Sequence, residues 1–389
     1  MKKRSDDLAI KIAIITGTRA EYGILEPLIR AVSKNPKFKL QLYATGMHLS
    51  EHYGNTINEI PFGITEKVDM GIKKDNSLKD MLGSLSLGIR GFSEAFTRHE
   101  PDIVVVLGDR IEPLAASISA LFLGIPVAHI HGGDVSGGID DSVRVMITKI
   151  ASIHFPATET SAKRIRGMGE EEWRIHKVGA LGLDSVLRSK KKTKAELSKE
   201  YGLDAVKPWV VVLYHPDTTA PESAGSEFKA ILGALDGPEL QKIVIYPNAD
   251  TGSGRIIKEI ESREGKPGYK SFKSIPHGDF ISILSNCSFM IGNSSSSLIE
   301  APSLGVPAIL VGSRQAGRER GANVLNVEEC SRASIGKEIR KALTDKDFLA
   351  AVQKRESPYG DGHSAERISA VLEGIDLTDR RLLKKELSA

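Results

Sequence analysis

Short uninterrupted apolar runs recur along the chain. Ile12 to Ile15, Ile103 to Leu107 and Val127 to Ile130 lie in the first half; Val210 to Leu213, Ile243 to Tyr246, Phe289 to Ile291 and Ala308 to Val311 lie in the second. Runs without polar alternation belong to strands covered on both faces, as in parallel sheets. Longer stretches separate them. One helix opens near Ile24, and another follows Glu112, where Pro113 suits a first helical turn. Strands alternating with helices predict an α/β protein with parallel sheets. The polar, lysine-rich stretch "LRSKKKTKAELSKEYGLDAVKP" (187–208) reads as a linking segment with a short helix. It sets a boundary near residue 185, giving one parallel-sheet domain over 1–185, a second over 186–375, and a terminal helix or tail over 376–389. Two such domains facing each other imply a cleft, with ligands held outside the carboxyl ends of the strands.

Composition narrows the function classes. A chain of 389 residues exceeds a single ordinary core, which supports two domains. Basic and acidic residues nearly balance, 53 against 50, and aromatics make up only 5%, so no basic face for nucleic acid is expected. Cys287 and Cys330 have no CxxC spacing, which argues against a disulfide framework or zinc site and suits a reducing cytoplasm. The start, MKKRSDDLAI, lacks the apolar core of a signal peptide, and no stretch approaches the roughly 18 apolar residues of a membrane span. A soluble cytoplasmic protein is expected.

Three loops at strand ends carry candidate chemistry. "TGTRAEYG" (16–23) follows the first strand and is neither G-x-G-x-x-G nor a P-loop, yet it opens a helix whose free N–H groups attract anions, and Arg19 adds a planar fork suited to phosphate. "GNSSSSLIEAPSLGVPAILVG" (292–312) follows another strand. One serine is explained as a helix cap; four in a row also fit a diphosphate approaching the backbone, and Glu300, about a turn into the expected helix, can accept ribose hydroxyls. The third group is "LGDRIEP" with "HIHGGDVSGGIDD" (129–141). Asp109, His131, Asp134 and Asp140 sit at converging strand ends, and several carboxylates beside an imidazole suit acid/base work. His129 and His131 alternate along a strand and so point to opposite faces, which argues against a metal; Asp141 can serve as a helix cap.

The ordered set "TGTRAEYG", "LGDR", "HIHGGDVSGGIDDSVRVMITKIASIHFPATE", "YHPDTT" and "GNSSSSLIEAPSLGVPAILVGSRQAGRERGANV" resembles the UDP-N-acetylglucosamine 2-epimerases over about residues 10 to 370. "IDDSVR…ITK" and "YHPDTT" resemble the hydrolysing branch, which makes N-acetylmannosamine for sialic acid synthesis. The resemblance implies two Rossmann-like domains of the glycosyltransferase-B type, UDP held mainly by the C-terminal one, no cofactor, and a homo-oligomer, dimer or tetramer. It places Arg19, Arg110, Ser294, Ser295, Glu300 and Arg314 at nucleotide-contacting positions, and Asp109 and Asp140 at catalytic ones. Some hydrolysing members carry glutamate at the positions of His131 and Asp134, while other bacterial members read His-Gly-Gly-Glu. Val145 follows Arg144 where the family often has histidine.

The implied chemistry explains the constellation. The C2 proton of the sugar has no adjoining carbonyl to acidify it, so its removal must accompany loss of UDP from C1, leaving a glycal that water then attacks. Arg19, Arg314 and the helix start at Ser294 to Ser296 would stabilise charge on the departing diphosphate. Asp109, His131, Asp134 and Asp140 would exchange protons, and His215 would reach the leaving phosphate. Alternatives are the same chemistry on a UDP- or GDP-2,4-diacetamido-trideoxyhexose of the legionaminic acid pathway, a non-hydrolysing epimerase, a glycosyltransferase of the same architecture, and an inactive nucleotide-sugar sensor.

Overall fold

A computed structural model describes residues 9–51, 55–72, 78–135, 139–216, 222–236, 239–247, 253–273, 275–327 and 329–385. It comprises two compact units. One holds the chain up to Ser185 and again from Tyr359 onward; the other runs Val186–Pro358.

The first unit begins with β1 (Ile10–Thr16), α1 (Arg19–Lys34), β2 (Phe38–Thr45) and β3 (Ile64–Val68). It continues through α2 (Leu78–His99), β4 (Ile103–Leu107), α3 (Ile111–Phe122) and β5 (Val127–Ile130). Then come α4 (Ile139–Ile150), β6 (Ile153–Phe155), α5 (Glu159–Gly167) and α6 (Gly182–Arg188), which carries the chain onward. All six strands are parallel, in the order β3-β2-β1-β4-β5-β6. Alternation along β1 explains why its run is apolar throughout. Ile12 and Ile14 enter a core shared with α1, whereas Ala13 and Ile15 enter the opposite core, beneath α2, α3 and α4.

The second unit holds α7 (Lys194–Tyr201), β7 (Trp209–Leu213), α8 (Ala224–Ala234), β8 (Gln241–Ile245), α9 (Ser253–Glu261) and β9 (Tyr269–Phe272). These are followed by α10 (His277–Ser285), β10 (Phe289–Gly292), α11 (Glu300–Leu304), β11 (Ala308–Val311), β12 (Val324–Val327), α12 (Arg332–Thr344) and α13 (Lys346–Gln353). Its parallel sheet has the order β12-β11-β10-β7-β8-β9. Counted from its own first strand, that is the order of the first sheet, so each unit is a doubly wound α/β fold. The lysine-rich linking segment supplies α7, closed by a capping box between Thr193 and Glu196.

The chain end departs from expectation. α14 (Ser364–Gly374) belongs to the first unit although the sequence assigns 359–375 to the second, and the described part of the expected terminal helix or tail holds a 3-10 turn at Arg380–Leu382. The fully buried Asp184 carboxylate accepts the Ser364 and Ala365 N–H groups (3.0 and 2.7 Å), capping α14. Beyond it, the buried Arg174 guanidinium donates to the Lys384 carbonyl (3.3 Å) and to that of Arg381. Lys385 Nζ reaches the Thr148 and Lys149 carbonyls at the end of α4 (3.2 and 2.9 Å) and Glu170 (2.7 Å). Among the described residues, no helix is long and apolar enough to cross a membrane.

Glu170 is the hub of that end. Its carboxylate is almost fully buried and meets Lys149 (2.6 Å), Lys385 (2.7 Å) and His154 (3.1 Å). Burial alone would raise its pKa, but the hydrogen bonds from His154, Lys149 and Lys385 hold it down at about 2. A depressed carboxyl pKa contributes stability above the unfolded value, lost as pH falls toward the folded one. Glu170→Ala, which strands Lys385, is expected to cost about 3–5 kcal/mol at neutral pH. Urea titrations of both proteins should show the gap narrowing as pH drops from about 4.5 toward 2.

Candidate functional site

In a doubly wound sheet the helices cross to opposite faces where the strand order reverses, opening a crevice at the carboxyl ends of the two adjoining strands. In the first unit those strands are β1 and β4, followed by Gly17 to Glu21 and by Gly108 to Glu112. In the second they are β7 and β10, followed by His215 and by Asn293 to Ser297.

Helix α4 organises the acids of the first unit. Asp140, Arg144 and Thr148 are spaced four apart and share one face. The buried Arg144 guanidinium ion-pairs with Asp109 and donates to the His131 carbonyl (2.9 Å). Thr148 Oγ1 lies 3.2 Å from His129 Nδ1, and His129 Nε2 is 2.8 Å from the Gly108 carbonyl. Since a carbonyl only accepts, His129 donates through Nε2 and receives the threonine hydroxyl at Nδ1. Burial pushes the His129 pKa down to about 3, so it is a neutral strut within the fold.

His131 stands just beyond β5 in the left-handed region, with φ +63°. A residue with a Cβ pays about 1–2 kcal/mol there. The conformation is held by three contacts: its N–H donates to the Phe155 carbonyl (3.0 Å), its carbonyl receives Arg144, and its Nε2 accepts the Leu181 N–H (3.3 Å). Nε2 as acceptor leaves the proton on Nδ1, which points at Asp134 Oδ2, 3.9 Å away. Asp134 is anchored from behind by the Ser161 hydroxyl (2.6 Å). Asp140 opens α4, where partial desolvation and then the Asp109 charge raise its pKa, against Arg110 and Arg144. Asp109, His131, Asp134 and Asp140 therefore converge on one set of strand ends.

Arg19 and Arg110 are placed differently. Arg19 is exposed at the start of α1 and pairs with Glu59 (2.9 Å). Arg110 precedes α3 and turns onto the fully buried Glu112, donating to both carboxylate oxygens (3.2 and 3.1 Å).

In the second unit, Gly292 ends β10 with φ +146°, and a Cβ there would lie 1.9 Å from the Leu213 carbonyl oxygen, so only glycine fits. The helix expected to begin within the serines does not. Ser295–Ser297 form a single 3-10 turn capped by the Ser294 hydroxyl, and α11 starts only at Glu300, because Pro302 has no N–H to donate to an earlier turn. Glu300 is thus a first-turn residue rather than one a turn inside. Burial raises its pKa, against its own N–H and Ser296, and its Oε2 is buried without a hydrogen-bond partner among the described residues. His215 is nearly buried beside this turn, while Arg314 is exposed on the loop after β11. "YHPDTT" and "HIHGGDVSGGIDD" run partly outside the described residues, at 217–219 and 136–138. Also among the described residues, no group of three or more His, Cys, Asp or Glu side chains is arranged to hold a metal ion.

Sequence reasoning gave no role to five residues that build these loops. Arg144 and Thr148 lie four apart on one face of α4, but half of that helix is polar, so the spacing does not single them out. Glu112, sealed inside an apolar helix, is a charge that demands a partner. Asn293 gave no signal: its side chain accepts the His215 N–H (2.7 Å) and donates to the His215 carbonyl (2.7 Å), bonding the two switch-point loops together. Gln315 donates to the Asn293 carbonyl (2.9 Å), tying the loop that carries Arg314 to the same place.

The chain matches the model of the family described as UDP-N-acetylglucosamine 2-epimerase over residues 30–373. It is 38% identical to the UDP-N,N'-diacetylbacillosamine 2-epimerase (hydrolyzing) of Legionella pneumophila, covering 96% of this chain and 98% of that protein. It is 36% identical to polysialic acid biosynthesis protein P7 of Escherichia coli, covering 90% of each. Among solved structures, the UDP-GlcNAc 2-epimerase of Neisseria meningitidis bound to UDP-GlcNAc superposes with a TM-score of 0.79 at 18% identity, covering 93% of this chain and 99% of that one.

Asn293→Ala strands the buried His215 N–H and carbonyl together. Each stranded group costs about 1–3 kcal/mol, so a total loss of about 2–6 kcal/mol is expected in chemical denaturation.

Proposed function

This chain belongs to the UDP-N-acetylglucosamine 2-epimerase family, and on that premise we propose that it is a hydrolysing 2-epimerase converting UDP-N-acetylglucosamine and water to N-acetylmannosamine and UDP. The observation that carries the reading is the convergence of Asp109, His131, Asp134 and Asp140 around the Arg144 clamp. Elimination breaks the C2–H and C1–O bonds together; a carboxylate takes the proton, UDP takes the C–O electron pair, and C1 and C2 become doubly bonded. Water then adds its oxygen to C1 while a second acid gives a proton to the other face of C2, and the carboxylate so formed takes the proton that water releases. Inversion needs proton-transfer groups on two faces, which a single carboxylate cannot supply.

Asp109 is the first choice for the base. Its partner Arg144 stabilises the anion, and the neighbouring anion favours a proton on Asp140, which suits the acid of the second step. His131 and Asp134 form a second proton-carrying pair on the adjacent loop. In the second unit the unpartnered Glu300 oxygen suits ribose hydroxyls as donors, and the Ser294 to Ser296 turn suits the diphosphate. Arg19, Arg110, Arg314 and His215 complete the binding set.

A second reading keeps this chemistry on a sugar with a 4-acetamido group, UDP-N,N'-diacetylbacillosamine. It is favoured by the Legionella relative, matched nearly end to end.

Proton NMR in D₂O tests both. With UDP-N-acetylglucosamine, free UDP and N-acetylmannosamine deuterated at C2 are expected. Intact UDP-N-acetylmannosamine would overturn the hydrolysing route, and turnover of the diacetamido sugar alone would move the substrate to the second reading. Asp109→Asn is expected to lower kcat by about 10²–10⁴-fold while leaving UDP affinity within about threefold. Lost UDP binding with undiminished kcat would remove Asp109 from proton transfer.

A further inference from the structure

The switch-point crevice of the first unit contains two buried carboxyl groups that the reaction above does not use. Glu112 is fully buried, and Glu21 nearly so. They flank Gly17 from two sides. Its N–H donates to Glu21 Oε2 (2.6 Å), and a Cβ on Gly17 would lie 3.2 Å from Glu112 Oε1. From a third side, a Cβ on Gly46 would lie 2.6 Å from the same Glu112 oxygen. Gly46, at φ +58°, must therefore be glycine for Glu112 to occupy its place, whereas a Cβ on Gly17 would only press against the Glu112 side chain. The cation facing the pair among the described residues is Arg110; its Nε and Nη2 donate to Glu112, and Nη2 also reaches Met47 Sδ at 4.0 Å. Glu21 has no bond to it, and Glu21 Oε1 is buried without a partner among the described residues.

We infer that Glu112 is the positioning residue of Arg110, and that Glu21 beside it sets the pH range over which that positioning holds. The inference rests on the functional reading only in taking Arg110 as a contact to the nucleotide sugar. A guanidinium gripped through two N–H groups by a buried carboxylate keeps one orientation, and its remaining N–H groups are left for an anion. Arg110 directly follows Asp109, so its grip also fixes the turn that presents that acid.

Two carboxylates sharing one cation in a dry site cannot both ionise cheaply. Burial first, and the Glu112 charge second, push the Glu21 pKa up to about 8, against the Gly17 N–H, Arg110 and the Thr18 N–H. His48 faces the same loop and donates its N–H to the Gly17 carbonyl (3.2 Å), but burial lowers its pKa, so it adds no charge at neutral pH. Arg19, on Glu21's own helix, is engaged with Glu59. Below about pH 8, then, Glu21 is neutral and Arg110 answers to Glu112 alone. Above it, a second anion competes for the guanidinium. The folded state holds a proton on Glu21 that the unfolded chain releases near pH 4.5, so stability declines as pH rises from there to about 8 and then levels.

Three readouts test this in the full-length protein. First, Glu112→Gln should weaken UDP binding by about tenfold or more in calorimetry, raising KM rather than lowering kcat, and should add little to an Arg110→Gln background, because the two act as one unit. Glu112→Asp, which keeps the charge but retracts it, is the second variant if the glutamine protein does not fold, and should also weaken UDP binding. Second, the Arg110 Nε–H resonance, bonded to Glu112 in the wild type, should lose exchange protection in either variant without any ligand present. Third, Glu21→Gln should flatten the decline in melting temperature between pH 5 and 8 and abolish the fall in UDP affinity above pH 8. UDP affinity unchanged by both Glu112 variants would overturn the positioning role, and equal pH slopes in wild type and Glu21→Gln would overturn the role of Glu21. Failure of the wild type to bind UDP or turn over any nucleotide sugar would instead sink the functional reading, while the Arg110 resonance and the melting slopes would still decide the pair.

Discussion

The first unit depends on one buried cation. Arg144 cannot lie inside the protein without partners, and those it finds, the Asp109 carboxylate and the His131 carbonyl, belong to the loops after β4 and β5. That single group therefore joins a helix face to two strand ends. One turn before it, Asp140 is brought to the same place; one turn after it, Thr148 supports His129, which in turn holds the carbonyl preceding Asp109. A buried ion pair adds little net stability over an apolar substitute, but losing one member leaves an uncompensated charge. What the clamp contributes is definition: a strained His131 and a cluster of acids held in one arrangement.

The two units share a strand order and divide the chemistry. At the carboxyl ends of β4 and β5 the first presents charged and titratable groups: Asp109, His131, Asp134 and Asp140, the Arg144 clamp, and a second arginine on its own buried carboxylate. The second presents serine hydroxyls and one stranded carboxyl oxygen, on a loop that Asn293 bonds to the His215 loop. Topology supplies the crevice in both cases; the loop sequences decide what it is for.

Legibility followed the range of the forces involved. Strands buried on both faces declared themselves as apolar runs, and Ile103–Leu107 and Ala308–Val311 coincide with β4 and β11. β2 was hidden by the exposed Lys39 and by Gln41, a buried polar side chain that donates to the His99 carbonyl, and β6 by having only three residues. The acids of the site were readable because charged residues at the ends of such runs are conspicuous. Their supports were not. Arg144 meets Asp109 across 35 positions, Glu112 faces Gly17 and Gly46 from the first turn of α3, and Asn293 meets His215 across 78. No local pattern encodes such pairings; they exist only once the parallel order has brought the strand ends together. The docking of the chain end was equally silent, because Lys385 and Arg174 look like ordinary surface charges until Glu170 and the main-chain carbonyls are in view.

The discontinuous make-up of the first unit bears on how the molecule comes into being. Its sheet is finished by residue 155, yet the helix capped by Asp184 and the segment gripped by Arg174 and Glu170 leave the ribosome some two hundred residues later. The second unit is one continuous stretch and can close on itself in the interval. A nascent chain would then carry an early, incomplete domain with the bed of α14 still open, and its apolar floor exposed, behind a later domain already folded. The part that holds the acids would be the last to become whole.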